Sequence, residues 1–251
     1  MGRSRDCRGA ATTRRNAVGR YTRRGLHGQT VHELGSRVVR GTWAPGETIV
    51  PEEIEAELGV SKTVVREALR VLGAKGLVDS RPKRGTFVRP RADWNLLDGD
   101  VMQWQLDGPT PERFFSELAE LRAILEPAWA RLAATRRTGE DLQAFDAALS
   151  AMADAGDNAE AAIAADLAFH QTLLAATHNE LMQSTDVVIT RALALRDRVV
   201  HQQGDQWSDP TPLHAALVDR IRAGDAEGSA AAALLLLARA EADARRAGES
   251  L

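Results

Sequence analysis

From Thr30 onward, apolar side chains at Val31, Leu34, Val38 and Val39 recur at helical spacing until Gly41, and Pro45-Gly46 turns the chain behind them. Pro51 can then open a second helix. Glu52 and Glu53 complement its positive end, Ile54 and Leu58 form its buried stripe, and Gly59 stops it after about two turns. Ser61 is a good N-cap for a third helix, in which Val64, Val65, Ala68, Leu69 and Leu72 face inward. Lys62, Thr63, Arg66 and Arg70 are left on its outer face. Two helices joined by a short glycine-containing turn predict a helix-turn-helix whose second helix enters the major groove of DNA. Two β-prone runs follow, Leu77–Ser80 and Thr86–Arg89, with Arg81-Pro82-Lys83-Arg84-Gly85 between them, which reads as a hairpin wing with a basic tip.

Beyond residue 90 the pattern lengthens. Amphipathic helices are expected at about 94–106, 111–135, 139–153, 156–177, 179–201, 211–223 and 225–247, interrupted at Gly108-Pro109, Gly139, Gly204, Pro210 and Gly224. Short connections between helices of this length imply an all-α antiparallel bundle. The alanine-rich run from Ser229 to Ala240 reads as a tightly packed helix, because Leu234 to Leu237 interrupt it. The expected fold class is therefore mainly α, with an N-terminal winged helix-turn-helix of α+β type followed by an all-α bundle. The expected divisions are a disordered basic tail over 1–24, a DNA-binding domain over 25–90, a linker over 91–110, and an effector-binding and dimerisation domain over 111–248.

Charge sharpens this division. Residues 1–91 carry 19 Lys and Arg against 9 Asp and Glu, a net +10, whereas residues 92–251 carry 13 against 26, a net −13. A basic unit joined to an acidic one suggests that only the first meets a polyanion. Five Trp, five Phe and one Tyr in 251 residues make a poor stacking platform for single strands, so duplex DNA is the expected partner. No window approaches the roughly 18 apolar residues of a membrane span, no secretory signal is evident, and the single Cys7 excludes an intrachain disulfide. A cytoplasmic protein without a membrane partner is expected.

The stretch PGETIVPEEIEAELGVSKTVVREALRVLGAKGLVDSRPKRGTFV resembles the DNA-binding domain of the GntR family of bacterial regulators, above all in its PG, LGVS, VREAL and RGTFV elements. The segments LRAILEPAWARLAA, DLAFHQTLLAATHNELM and LHAALVDRIRAGDAEGSAAA are similar to the ligand-binding domain of the FadR-type branch of that family. Within the branch, PRADWNLLDGDVMQW is similar to regulators of galactonate catabolism. The resemblance implies a homodimer on palindromic operator DNA, with Ser61, Lys62, Thr63 and Arg66 of the recognition helix and Lys83, Arg84 and Gly85 of the wing as DNA-contacting positions. This chain departs from the pattern at two places. The family usually has an arginine after the serine of the turn, where Lys62 stands, and another basic residue where Glu52 stands.

Asp166 and His170 are four residues apart and so share a helical face, a spacing that suits two metal ligands or an ordinary hydrogen-bonded pair. The FadR-type resemblance adds His214 as a third ligand of a divalent metal, zinc or similar, but puts a fourth on Leu236, which has no ligating atom. It also points Arg122 into the ligand cavity. That residue can hold a carboxylate with two parallel bonds, or pair with Glu126 one turn on. Asn179 can reach the ligand or cap the following helix. His178 and His201 read as ordinary residues. The expected effector is thus a small organic acid, a sugar acid such as galactonate, bound by Arg122, Asp166, His170, Asn179 and His214, and the expected activity is that of a repressor released by it. Two other readings stand beside this one: a metal-dependent hydrolase, for which no HExxH, nucleophile elbow or phosphate-binding glycine loop is present, and an architectural DNA-binding protein with a purely structural bundle.

Overall fold

The computed structural model of the protein describes residues 25–186 and 211–248. The arginine-rich residues 1–24, His201 and most of the helix expected over 179–201 lie outside them.

Helix α1 (Leu26–Val39) buries Val31, Leu34 and Val38 along one stripe, and it begins five residues before the first expected apolar position. Helix α2 (Pro51–Leu58) starts on Pro51 and is closed by Gly59, whose φ of 63° is the left-handed conformation that glycine adopts without strain. Helix α3 (Lys62–Ala74) is capped by Ser61, whose Oγ accepts from the Val64 amide. Of the five residues expected to face inward, Val65, Ala68, Leu69 and Leu72 are buried, and Val64, nearer the edge of the stripe, is half-buried. Strands β1 (Thr48–Ile49), β2 (Val78–Arg81) and β3 (Gly85–Val88) form an antiparallel sheet in the order β1-β3-β2, with Val78 opposite Val88 and Thr48 opposite Phe87. Strand β1 has no counterpart in the sequence reading. Two residues are too few to show alternation, and only pairing with β3 makes them a strand.

Residues 91–110, expected as a linker, contain a 3₁₀ turn (Arg91–Asp93) and helix α4 (Gly99–Leu106). The Asp98 side chain accepts from the Asp100 and Val101 amides and so fixes where α4 begins, five residues later than expected. This helix serves two cores. Val101 and Trp104 are fully buried among the side chains of α1, α2 and α3, while Met102 joins the bundle core. A Cβ on Gly35 of α1 would overlap the Trp104 ring, so glycine is what lets the indole lie against α1, where its Nε1 donates to His32 Nδ1 at 2.9 Å. Beneath, the buried Lys75 ammonium at the end of α3 binds Asp98 at 2.8 and 2.9 Å and Asp100 at 2.8 Å.

Among the described residues, the bundle comprises α5 (Pro111–Arg136), α6 (Gly139–Ala155), α7 (Ala159–Ala175), the single turn α8 (Glu180–Gln183), α9 (Thr211–Ala223) and α10 (Ala226–Gly248). Its core is built on Trp129, Phe145, Phe169, Leu173, Leu217 and Ile221. Helix α10 packs chiefly on α5 and α6 packs on α7, with α9 touching α5, α6 and α10. Ala130, Ala133 and Ala134 of α5 and Ala230 and Ala233 of α10 are buried, which explains the alanine-rich sequence as close helix packing. His178 Nε2 donates to Asp141 Oδ2 at 2.7 Å, a carboxylate that is itself part of the capping box of α6, and so ties the end of α7 to the start of α6. Among the described residues, no helix is long and apolar enough to cross a membrane.

Candidate DNA interface and buried ligand site

Ser61, Lys62, Thr63 and Arg66 all lie exposed on the first two turns of α3. The helix-turn-helix geometry presents them together because Ser61 starts the helix and the apolar residues of α3 are turned inward. Lys83, Arg84 and Gly85 are exposed in the β2–β3 turn, in which Lys83 and Gly85 both have positive φ, at 64° and 79°. Between α3 and the wing runs a groove of about 530 Å³ lined by Arg66, Arg70, Thr48, Ser80, Gly85 and Thr86. Guanidiniums and hydroxyl groups together suit contact with duplex DNA, at base edges as well as at the phosphate backbone. The sequence gives no hint of Thr48 or Ser80 here, because the sheet register alone brings them to the groove.

Two of the expected DNA-contacting side chains are engaged within the domain. The Arg84 guanidinium lies 3.7 Å over the Phe87 ring, with its Nη2 reaching the Gly46 carbonyl at 3.4 Å. It packs on the wing instead of extending from the tip, so Lys83 is the more projecting cation. Lys62 donates to Glu52 of α2 at 2.5 Å, and this bond holds the Glu52 carboxyl below its ordinary range.

The bundle encloses a second charged group of residues, and each comes from a helix whose apolar face already points inward. Arg122 and Glu126 lie one turn apart on α5, Asp166 and His170 one turn apart on α7, and His214 on α9. Arg122 Nε donates to Glu126 Oε1 at 2.6 Å; Glu126 Oε2 lies 3.3 Å from His170 Nδ1; and Asp166 Oδ1 lies 3.6 Å from His170 Nε2 and 3.1 Å from His214 Nε2. The ring of Phe169 meets His214 edge-on at 4.5 Å and limits where that imidazole can turn.

Burial works against the charges of His170, Glu126 and Asp166, yet proximity outweighs it. Desolvation would lower the His170 pKa, but the flanking carboxylates of Glu126 and Asp166 push it up to about 9. Glu126 would rise on burial, but the charges of Arg122 and His170 hold it at about 2. Asp166 stays well below the usual carboxylate range, mainly through His170 and then His214. The cluster is rich in anionic oxygen and favours added positive charge, whether a proton or a metal ion.

Asp166, His170 and His214 each offer one ligand atom, all within 4.8 Å of one another. Two imidazoles and a carboxylate make a donor set suited to a divalent transition metal, and Glu126 beside His170 Nδ1 leaves Nε2 as the ligating nitrogen. The residues therefore fit such an ion. Leu236 is buried in the bundle core at 5% exposure and adds no donor.

The other expected positions divide. Arg122 is buried, as a cavity residue should be, but its Nε is taken up by Glu126. Asn179 spends its side-chain oxygen on the amides of Leu181 and Met182, so the structure gives it the capping role. Glu126 enters the cluster as the link between Arg122 and His170. In sequence it signals only a local pair with Arg122.

Comparison with known proteins agrees with this architecture. Residues 26–88 match the gntR family of bacterial regulatory proteins, and residues 117–239 match the FCD domain. The chain is 36% identical over 211 residues to the galactonate operon transcriptional repressor of Escherichia coli, covering 82% of this chain and 90% of that one. It is 32% identical to the uncharacterized HTH-type transcriptional regulator YieP of the same organism, with 82% and 89% covered. The solved structure of Lar, which controls expression of the Listeria monocytogenes agr system, shares the fold at a TM-score of 0.60 with 16% identity, over 91% of this chain and 99% of that one. Both E. coli relatives carry the names of transcription regulators. The chain thus belongs to the GntR family of bacterial regulatory proteins, as a DNA-binding transcription regulator made of a winged helix-turn-helix and an FCD domain.

Proposed function

We propose that this regulator is a cytoplasmic repressor that binds operator DNA as a homodimer and leaves it when a small hydroxylated carboxylate, an aldonate such as galactonate, enters the bundle. The observation that carries the reading is the buried Arg122-Glu126-His170-Asp166-His214 cluster inside an otherwise apolar core. Charge in such a place is expensive to desolvate, and well-packed apolar residues would serve stability as well or better. A binding role supplies the missing reason for it. The E. coli relative named for the galactonate operon supports the choice of ligand.

In this reading Asp166, His170 and His214 hold a divalent metal, which supplies a Lewis-acidic centre for the carboxylate or hydroxyl oxygens of the effector. Arg122 contributes the guanidinium nitrogens that Glu126 does not use. The switch is modest in energy: a tenfold change in operator affinity needs about 1.4 kcal/mol of coupling. Calorimetry with a panel of aldonates, lactate, amino acids and an acyl-CoA tests the ligand class, run on metal-loaded and chelator-treated protein with elemental analysis. The expected result is aldonate binding to wild type, weakened at least tenfold in Arg122→Ala and accompanied by metal loss in His170→Ala and His214→Ala. Preference for an acyl-CoA, or unchanged affinity in Arg122→Ala, would refute the assignment.

For the dimer, Ile124 of α5 and Leu234 and Leu235 of α10 are 71%, 47% and 64% exposed on two helices that pack together. Such residues suit burial against a second copy across a two-fold axis. Sedimentation at micromolar concentration is expected to return dimers, and monomers there would count against the proposal.

A further inference from the structure

Glu52 is an acidic side chain on the face that must approach a polyanion. It stands in the first turn of α2, directly after Pro51, with its side chain 60% exposed. Its carboxylate accepts from the Nζ of Lys62, the first residue of α3. Neither ordinary explanation for it suffices. An exposed ion pair contributes little to stability, and the neighbouring Glu53 already complements the positive end of α2. Near phosphates the carboxylate is repelled, so it should weaken binding unless it meets a hydrogen-bond donor.

The major-groove edge of one G·C pair offers such a donor beside two acceptors. Guanine presents N7 and O6, and cytosine presents its N4 amino group. An ammonium and a carboxylate held one hydrogen bond apart mirror this arrangement, since O6 and N4 are themselves hydrogen-bonded to each other across the pair. We propose that Glu52 and Lys62 form a composite reader of one G·C pair in each half-site, with Lys62 donating to guanine and Glu52 accepting from the cytosine N4 amino group.

The Lys62–Glu52 bond settles both side chains before DNA arrives, which lowers the entropy lost on binding. It also makes two of the three wrong pairs repulsive. An A·T pair sets the adenine N6 amino group against the ammonium and thymine O4 against the carboxylate, and a reversed C·G pair makes the same two errors. Glu52 is on this view a specificity-determining residue. The inference rests on the reading of α3 as the helix that enters the groove.

Selection from random-sequence duplexes with the full-length protein, followed by competition with singly substituted duplexes, tests it. Wild type is expected to favour one G·C pair per half-site, with A·T and C·G there binding at least about tenfold more weakly and T·A, which keeps an acceptor for Lys62 and a donor for Glu52 but lacks guanine N7, the least disfavoured replacement. Glu52→Ala should melt at the wild-type temperature, because the side chain is exposed, and should lose the preference at that pair alone. Lys62→Met should lose it at the same pair. If Glu52→Ala instead binds all duplexes more tightly by one common factor with its base preferences unchanged, the carboxylate merely repels phosphate and the proposal is overturned. A wild-type protein that enriches no sequence would overturn the proposal together with the reading of α3 as the helix in the groove, whereas loss of preference at other pairs only, in Glu52→Ala, would overturn the proposal and leave that reading standing.

Discussion

Arg66→Ala is expected to abolish specific operator binding while leaving the melting temperature unchanged. The side chain is exposed on the second turn of α3 and lines the groove beside the wing, so its removal opens no cavity in the core. An arginine bridging guanine O6 and N7 contributes about 1–3 kcal/mol of discrimination. A dimer would lose this twice, or roughly 2–6 kcal/mol, and the upper end approaches the whole gap between specific and non-specific binding. Binding to random duplex should fall only slightly, since a single cation is lost from a surface that still carries Lys62, Arg70 and Lys83. Footprinting and salt-dependent titration on operator and random duplexes distinguish the two effects. A Lys83→Ala protein provides the contrast: it should weaken both duplexes alike. Equal losses on both duplexes in Arg66→Ala would show that Arg66 holds phosphate and reads no base.

Glu126→Ala is expected to lower stability by about 3–5 kcal/mol, the largest effect on folding of any single substitution in the cluster. The carboxylate is 1% exposed and binds Arg122 on one side and His170 on the other. Its loss strands a guanidinium in a site 5% exposed, and a buried charge without its partner costs about that much. Replacing both members, as Arg122→Met with Glu126→Leu, should recover most of the loss, because apolar pairs of similar volume tolerate such places well. Urea unfolding of the two single variants and the double variant, read as a cycle, measures the coupling directly. A Glu126→Ala protein within about 1 kcal/mol of wild type would mean that water or the remaining groups already satisfy Arg122.

The parts of the fold written in local punctuation were legible in the sequence. Pro51, Gly59 and Ser61 mark the start, stop and restart of the recognition motif, and the RGTFV run marks the returning strand of the wing. Parts that depend on distant contacts were not. Trp94 and Leu96 extend an apolar pattern backward from α4, so the helix was expected from residue 94. The chain instead bonds the Asn95 amide to the Lys75 carbonyl and delays the helix to the Asp98 cap. The same limit applied to the sites. Asp166 and His170 are visible as a pair at helical spacing, whereas Glu126 joins them only because α5 and α7 meet. Likewise the nine residues between Glu52 and Lys62 conceal a contact that the turn at Gly59 creates.

The docking of Trp104 on Gly35 bears on how domains of this kind can be exchanged. A winged helix cut away after Pro90 would leave α1 with an uncovered groove and Lys75 without its two carboxylates. The natural seam lies beyond Leu106, in the run Asp107-Gly108-Pro109-Thr110, where the chain leaves α4 and has not yet begun α5. A chimera joined there carries its wedge with it. One joined at the end of the wing asks a foreign α4 to fit a slot shaped for this indole, so a new effector domain can be acquired intact only if the graft begins after the tryptophan.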